Sequence, residues 1–251
     1  MPIAADIRVE AERLSAAAAA ANLGLRLMGG LAVWLVSPSV RIPPFAREYA
    51  DLDFAVRKRD SRAVTPFLEQ HGYVPERLFN SIHGAQRMNF GHPDGLWTID
   101  AVVDELRMSH LIDLRGRLEP GPPTIDLADL LLTKLQVWEI NAKDLGDITC
   151  LLADRPLSEA GAADQQVIDV SRILTLTGAD WGICHTLERN LRDVAVHARE
   201  RRPIGARFDA VLQVEALLAA IAAGRKSLAW RVRGRIGERV RWYETPEEIR
   251  H

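Results

Sequence analysis

Residues 51–57 read DLDFAVR, a segment in which two carboxylates alternate with apolar side chains. A period of two predicts a strand with Asp51 and Asp53 on one face and with Leu52 and Phe54 on the other. The apolar face packs into a core, and the opposite face carries two like charges about 7 Å apart. Because such charges repel unless a cation or solvent lies between them, this strand must present its charged face to water or to a bound ion.

A glycine pair lies upstream of this strand. The sequence LRLM at 25–28 predicts a short strand, and Gly29-Gly30 then lead into LAVWLV, which predicts a helix. Backbone N–H groups at a helix start, unobstructed by side chains, form a cradle for a triphosphate. The alternative is a tight turn with no ligand.

A third carboxylate follows in a predicted hairpin. The segments at 86–90 and 96–103 flank GHPDG, in which Pro-Asp-Gly is typical of a turn. Strand parity places Asp100 beside Thr98, opposite the apolar face. Three strand carboxylates on one face suit Mg²⁺, with two ions in the arrangement used for phosphoryl transfer. The alternative is that they are solvent-facing residues of a half-exposed strand.

The residue periodicity of the sequence changes at EPGPPT, residues 119–124, a segment rich in proline that predicts a linker. The segment before it alternates predicted strands and helices, beginning with an alanine-rich helix. The segment after it has helical periodicity, with helices predicted near residues 126–141, 143–153, 158–176, 180–201, 206–223 and 227–243. The fold class predicted is α+β, a mixed sheet with flanking helices followed by an all-helical C-terminal half. Domain boundaries are predicted at 1–118 and 119–251.

Composition excludes several classes of site. The formal net charge of −2 gives no overall attraction to nucleic acid. No run of eighteen apolar residues occurs, and we expect neither export nor a membrane span. The cysteines Cys150 and Cys184 have no paired spacing and predict buried free thiols in a reducing cytoplasm. Scattered histidines argue against zinc, and P-loop, Rossmann and GxSxG motifs are absent.

Together these residues resemble the nucleotidyltransferase superfamily related to DNA polymerase beta. Its signature is a Gly-Gly or Gly-Ser helix start, a DxD strand and a third Asp on a neighbouring strand. The matching residues here are Gly29, Gly30, Asp51, Asp53 and Asp100. The sequence REYADLDF is similar to the R-x-T-x-D-I-D form of AbiEii-like and MenT-like toxin nucleotidyltransferases, with Arg47 kept and Tyr49 in place of threonine.

The following helices extend the resemblance, since those relatives carry a lysine helix and then a KD helix. Lys134, Lys143, Asp144 and Asp147 lie at the matching places. The resemblance implies that Lys134 is a catalytic cation for phosphate, and that Lys143 and Asp144 contact substrate with Gly29, Gly30 and Arg47. For Lys134 an amphipathic-helix surface role is an equal alternative, and acids at a helix start are structurally ordinary.

The resemblance further implies a Mg²⁺-dependent enzyme, with Mn²⁺ as a substitute, that moves a nucleoside monophosphate from a nucleoside triphosphate such as ATP. Asp51, Asp53 and Asp100 are the expected metal ligands. The acceptor is open among RNA, a protein and a small molecule, and an antitoxin is an expected partner of a toxin-like member. The alternative is a noncatalytic member that binds a nucleotide or a protein.

A predicted stripe of Arg231, Arg235 and Arg239 on one helix face would suit binding to a phosphate backbone, although a solvated helix face is the commoner outcome for such a run.

Overall fold

The described part of the chain divides into two compact units. A computed structural model describes residues 3–159 and 166–245. One unit comprises Met1–Leu35, Arg47–Leu106 and Ile112–Ile125, and the other comprises Val36–Ala46, Arg107–Leu111 and Asp126–His251. The chain therefore passes between the units more than once. A single domain boundary after residue 118 stays a prediction.

The first unit contains a five-stranded mixed sheet. Its strands are β1 (Leu25–Met28), β2 (Asp51–Val56), β3 (Val74–Pro75), β4 (Arg87–Gly91) and β5 (Thr98–Val103). They lie in the order β1-β2-β5-β4-β3. The strands β2 and β5 are parallel, and the other neighbours are antiparallel.

The two faces of the sheet are buried and exposed as the alternation of apolar and charged residues predicts. Leu52 and Phe54 of β2 and Ile99 of β5 are fully buried on one face. Asp51 is exposed and Asp53 half-buried on the other. Burying the apolar face fixes the register, because a slip of one residue would turn every carboxylate into the core. The predicted hairpin is confirmed, since β4 and β5 pair in antiparallel register.

The helices of the first unit support this sheet. They are α1 (Ile7–Ala20), α2 (Gly29–Val36), α3 (Ser61–Gln70) and α4 (Arg77–His83), of which the last residue of α2 belongs to the second unit. The side chain of Asp6 caps α1 by accepting a hydrogen bond from the Arg8 backbone N–H at 2.8 Å. The alanine-rich segment is thus helical, as its composition predicts, and Leu14 and Ala18 are fully buried.

The second unit is built mainly from helices that begin at polar caps. They are α5 (Leu127–Leu135), α6 (Ala142–Asp154), α7 (Val170–Ala179), α8 (Trp181–Glu200), α9 (Ala210–Ala223) and α10 (Leu228–Ile236). Asn141, Asp169, Asp180, Asp209 and Ser227 each accept a backbone N–H bond at the start of one of these helices. The short strands β8 (Leu157–Ser158) and β9 (Ile168–Asp169) also belong to this unit, whereas β6 (Glu105–Arg107) and β7 (Leu111–Asp113) each have residues in both units.

Two helices end earlier than their periodicity predicts. The helix predicted at 126–141 ends at Leu135, where the Asn190 side chain donates to the carbonyls of Leu135 and Val137, each at 2.8 Å. The helix predicted at 227–243 ends at Ile236, because Gly237 has φ +58° and Arg233 donates to its carbonyl.

A third helix prediction fails at its start. The segment 158–176 begins with the parallel pair β8 and β9, and α7 starts only at Val170. Residues 160–165, also in that predicted helix, lie outside the described residues. The predicted α+β class is nevertheless confirmed, with a mixed sheet and flanking helices followed by a helical half. Among the described residues, no helix has the length and apolar content needed to cross a bilayer.

Candidate functional site

The charged face of β2 and β5 brings Asp53 and Asp100 side by side. Their Cα atoms are direct partners in the parallel register, and Asp51 is likewise the partner of Thr98. Neighbouring strands are about 4.8 Å apart, so the carboxylates of Asp53 and Asp100 project from adjacent backbone positions on the same face. Sheet register, rather than a flexible loop, therefore sets the spacing of these acids.

Asp51 is the most exposed acid of this face. Its Oδ1 accepts a hydrogen bond from Thr98 Oγ1 at 2.9 Å. The hydroxyl uses only one carboxylate oxygen, so Asp51 remains able to bind a cation through its other oxygen.

Asp100 is held by an arginine of the neighbouring strand. Arg87 Nε donates to Asp100 Oδ1 at 2.7 Å and Arg87 Nη2 donates to Asp100 Oδ2 at 2.6 Å. The hydrogen bond to Asp100 raises the pKa of the Arg87 guanidinium, with a further contribution from Asp53. When its amide nitrogen is turned toward Asp100, Asn89 also donates to Oδ1 at 3.1 Å. Both oxygens of Asp100 are therefore engaged with donors of the protein.

Gly29 brings the start of α2 against Asp53. A Cβ atom built on Gly29 would lie 2.0 Å from Asp53 Oδ2, and its φ of +69° is a conformation that L residues rarely adopt. Only glycine satisfies both conditions. The close approach therefore places a carboxylate next to the positive end of a helix dipole.

Gly30 makes a second close approach, to Arg47. A Cβ on Gly30 would lie 2.5 Å from Arg47 Nη2 and 3.1 Å from Tyr49 Cε1. The guanidinium carbon of Arg47 lies 4.3 Å from the centroid of the Tyr49 ring, a cation–π contact that fixes its orientation. The glycine pair thus lies between an acid and a base, next to the N–H groups of the first helical turn.

These residues fit a divalent cation only in part. Asp51 and Asp53 supply the oxygen ligands that Mg²⁺ prefers, and Mg²⁺ takes its other ligands from water and phosphate. Asp100 does not fit as a ligand while Arg87 occupies both of its oxygens. Consistent with this, no group of three or more His, Cys, Asp or Glu side chains within residues 3–159 and 166–245 is arranged to hold a metal. The three-carboxylate metal site stays a prediction.

Lys134 belongs to the second unit, where it is paired with two acids. Its Nζ lies 2.6 Å from Asp144 Oδ1 and 2.9 Å from Asp147 Oδ2. Burial lowers the pKa of the Lys134 ammonium, but attraction from Asp147 and Asp144 outweighs burial and leaves that pKa above its ordinary value. Asp147 is 1% exposed. This triad joins α5 to α6, which is a structural role in itself.

Lys143 is the exposed member of the predicted substrate contacts in the second unit. Lys143 lies in the first turn of α6 with an exposed side chain. The roles of Lys134, Lys143 and Asp144 in substrate binding stay predictions. The arginine stripe is shorter than predicted, because Arg239 lies beyond the end of α10 while Arg231 and Arg235 lie within it.

Arg87 and Asn89 belong to the site although no sequence motif marks them. Both lie on β4, where Asn89 is the partner of Asp100 and Arg87 is the partner of Val102. Residues at directly opposite and diagonal positions of an antiparallel pair interact. Counting the register outward from the Pro-Asp-Gly turn would have placed both side chains next to Asp100.

Comparison with known proteins gives only distant likenesses. No protein-family model matches the chain, and no curated protein matches it. A solved antigenic nucleotidyltransferase-like protein from Paracoccidioides brasiliensis is 13% identical with a TM-score of 0.41, over 89% of this chain and 95% of that one. A putative nucleotidyltransferase from H. pylori is 10% identical with a TM-score of 0.35, over 94% of this chain and 100% of that one.

Proposed function

We propose that the first unit binds a nucleoside triphosphate at the charged face of β2 and β5 and transfers its nucleoside monophosphate to an acceptor. The contact between Gly29 and Asp53 carries this proposal. The start of α2 lies so close to the Asp53 carboxylate that a Cβ on Gly29 would be 2.0 Å from Oδ2. Helix N–H groups that bind phosphate and a carboxylate that binds Mg²⁺ are therefore within reach of one ligand.

Each residue of this site has a distinct proposed role. Asp51 and Asp53 would hold Mg²⁺, which when bound neutralises charge on the phosphates. The backbone of Gly29-Gly30 would bind the triphosphate, since no side chain obstructs it. Arg47, oriented by the Tyr49 ring, would add a fixed positive charge beside the phosphate oxygens.

In the proposed transfer, the acceptor oxygen forms a bond to the α-phosphorus. The bond from the α-phosphorus to the oxygen bridging to the β-phosphate breaks, and pyrophosphate leaves. Asp100 lies on the same face and would accept the proton of the acceptor hydroxyl. It can do so only after its oxygens leave Arg87.

The Arg87–Asp100 ion pair favours a second candidate function. A carboxylate with both oxygens bonded to a guanidinium is a poor base and a poor metal ligand. If that pair persists with nucleotide bound, the chain would be a noncatalytic nucleotide-binding member. This alternative predicts nucleotide binding without release of pyrophosphate.

The acceptor remains open among RNA, a protein and a small molecule, and a toxin-like role with an antitoxin partner is part of the proposal. The basic residues Arg231 and Arg235 of α10 are exposed and would suit an acceptor that carries phosphate groups. The proposed location is a reducing cytoplasm. The free, buried thiols of Cys150 and Cys184 are compatible with it.

The test incubates the chain with each α-labelled nucleoside triphosphate, Mg²⁺ and either total RNA or a cell lysate. We expect label in one class of acceptor together with pyrophosphate. Asp53→Asn should abolish both. The matched control is Asp94→Asn, which changes an exposed acid in the turn between β4 and β5 and should leave transfer intact.

Two results separate the candidates. Nucleotide binding that depends on Asp53, without pyrophosphate from any acceptor, would support the noncatalytic alternative. Transfer that is unchanged in Asp53→Asn would refute the assignment of the site.

A further inference from the structure

We propose that Arg87 acts as a built-in counter-cation that keeps Asp100 out of the metal site, so that this face binds a single divalent ion at Asp51 and Asp53. The inference rests on the proposed site. It concerns a different residue and predicts metal stoichiometry, whereas the proposed function predicts transfer.

The contacts of Arg87 support this role first. Its Nε and Nη2 bond the two oxygens of Asp100 at 2.7 and 2.6 Å, the bidentate geometry that makes arginine–carboxylate pairs strong. The Asp100 side chain is only 22% exposed, so water competes weakly for these bonds. A divalent ion could reach Asp100 only by breaking at least one of them.

The negative charge on the face of β2 and β5 is the second support for this role of Arg87. Asp51, Asp53 and Asp100 lie on one side of two adjacent strands, and their mutual repulsion requires a positive charge nearby. Arg87 supplies that charge from β4, where its guanidinium bonds both oxygens of Asp100. The charge that a second ion would bring to Asp100 is therefore already provided by the protein.

The strand register supports it third. Arg87 is diagonal to Asp100 across β4 and β5, so the pairing of two strands, and not a mobile loop, keeps it there. Asn89 directly opposite Asp100 supplies a further donor. The arrangement is thus built into the pairing of β4 with β5.

The test measures binding of Mn²⁺ alone to the full chain, from the loss of the electron paramagnetic resonance signal of free Mn²⁺. The wild type should bind a single Mn²⁺ per chain. Arg87→Gln should gain a second, and the double variant Arg87→Gln with Asp100→Asn should lose it again. Arg87 is 41% exposed, so its replacement should not prevent folding, which circular dichroism would check.

Arg115→Gln is the matched control. Arg115 lies in the turn after β7 and pairs with Glu105 and Asp113, acids of β6 and β7 that do not belong to the five-stranded sheet. It should leave the stoichiometry unchanged. Two Mn²⁺ ions in the wild type, or no gain in folded Arg87→Gln, would overturn the role of Arg87. A wild type that binds no Mn²⁺, with a gain in Arg87→Gln that Asp100→Asn removes, would count against the proposed function but in favour of the masking of Asp100 by Arg87.

Discussion

Replacing Gly29 by alanine tests the contact on which the proposed site depends. The added Cβ would lie 2.0 Å from Asp53 Oδ2 and must reach about 3.0 Å, so the carboxylate or the helix start has to shift by about 1 Å. Gly29 also has φ +69°. The substitution therefore combines a backbone penalty with a steric one.

The two penalties can be separated with Gly95. This glycine has the same φ of +69°, and a Cβ built on it meets nothing within 4 Å. Gly95→Ala should lower the free energy of unfolding by about 1–2 kcal/mol, the cost of a left-handed alanine. Gly29→Ala should cost a further 1–3 kcal/mol or so, as is typical of overpacking.

Urea unfolding followed by circular dichroism gives both values, and Mn²⁺ titration of each variant reports on Asp53. We expect Gly29→Ala to be the less stable variant and to bind Mn²⁺ more weakly, because its carboxylate is displaced. Gly95→Ala should bind Mn²⁺ like the wild type. Equal stability and equal Mn²⁺ affinity in the two variants would show that Gly29 at the start of α2 is not in close contact with the Asp53 carboxylate.

Further predictions concern the second unit. Lys134→Met should lower the free energy of unfolding by about 3–5 kcal/mol, because it removes the ammonium that forms an ion pair with buried Asp147. In the same urea assay the exposed Lys143→Met should change it by less than about 0.5 kcal/mol, and equal effects would contradict the triad. Burial lowers the pKa of His110, against smaller raising effects of Asp180 and Glu244. Because the folded pKa lies below the unfolded one, the stabilisation is present above about pH 6.5 and is lost as the pH falls. His110→Gln should flatten this decline in unfolding free energy between about pH 7 and 5, and His83→Gln, at an exposed site, should not.

The sequence predicts the sheet well because its signal is local. Alternation in β2 fixes which face carries Asp51 and Asp53, and the Pro-Asp-Gly turn fixes the pairing of β4 with β5. Gly29 is identifiable as a break between β1 and α2, but its contact with Asp53 depends on two distant segments meeting. That contact follows from tertiary packing, which no periodicity encodes.

The ends of helices and the partners in ion pairs are harder to predict from sequence than the sheet, because they depend on residues that are distant in the chain. The end of α5 is set by Asn190, a residue 55 positions away, so the sequence near Leu135 does not reveal it. The phosphate contact of Lys134 stays a prediction; the ion pairs of its ammonium with Asp144 and Asp147 depend on how α5 meets α6, which helical periodicity does not reveal. Arg87 was missed because a basic residue in a hairpin carries no motif; only the register of β4 against β5 shows that it meets Asp100.

Isothermal titration of the chain with Mg²⁺ and each nucleoside triphosphate, in the wild type, Asp53→Asn and Asp94→Asn, tests directly whether the β2–β5 face binds a nucleotide through a metal. We expect at least one nucleotide to bind, and we expect removal of Mg²⁺ by a chelator to weaken this binding strongly. Asp53→Asn should weaken it as well, while Asp94→Asn should not. Binding that is indifferent to both Mg²⁺ and Asp53, or no binding of any nucleotide to the folded chain, would contradict this assignment.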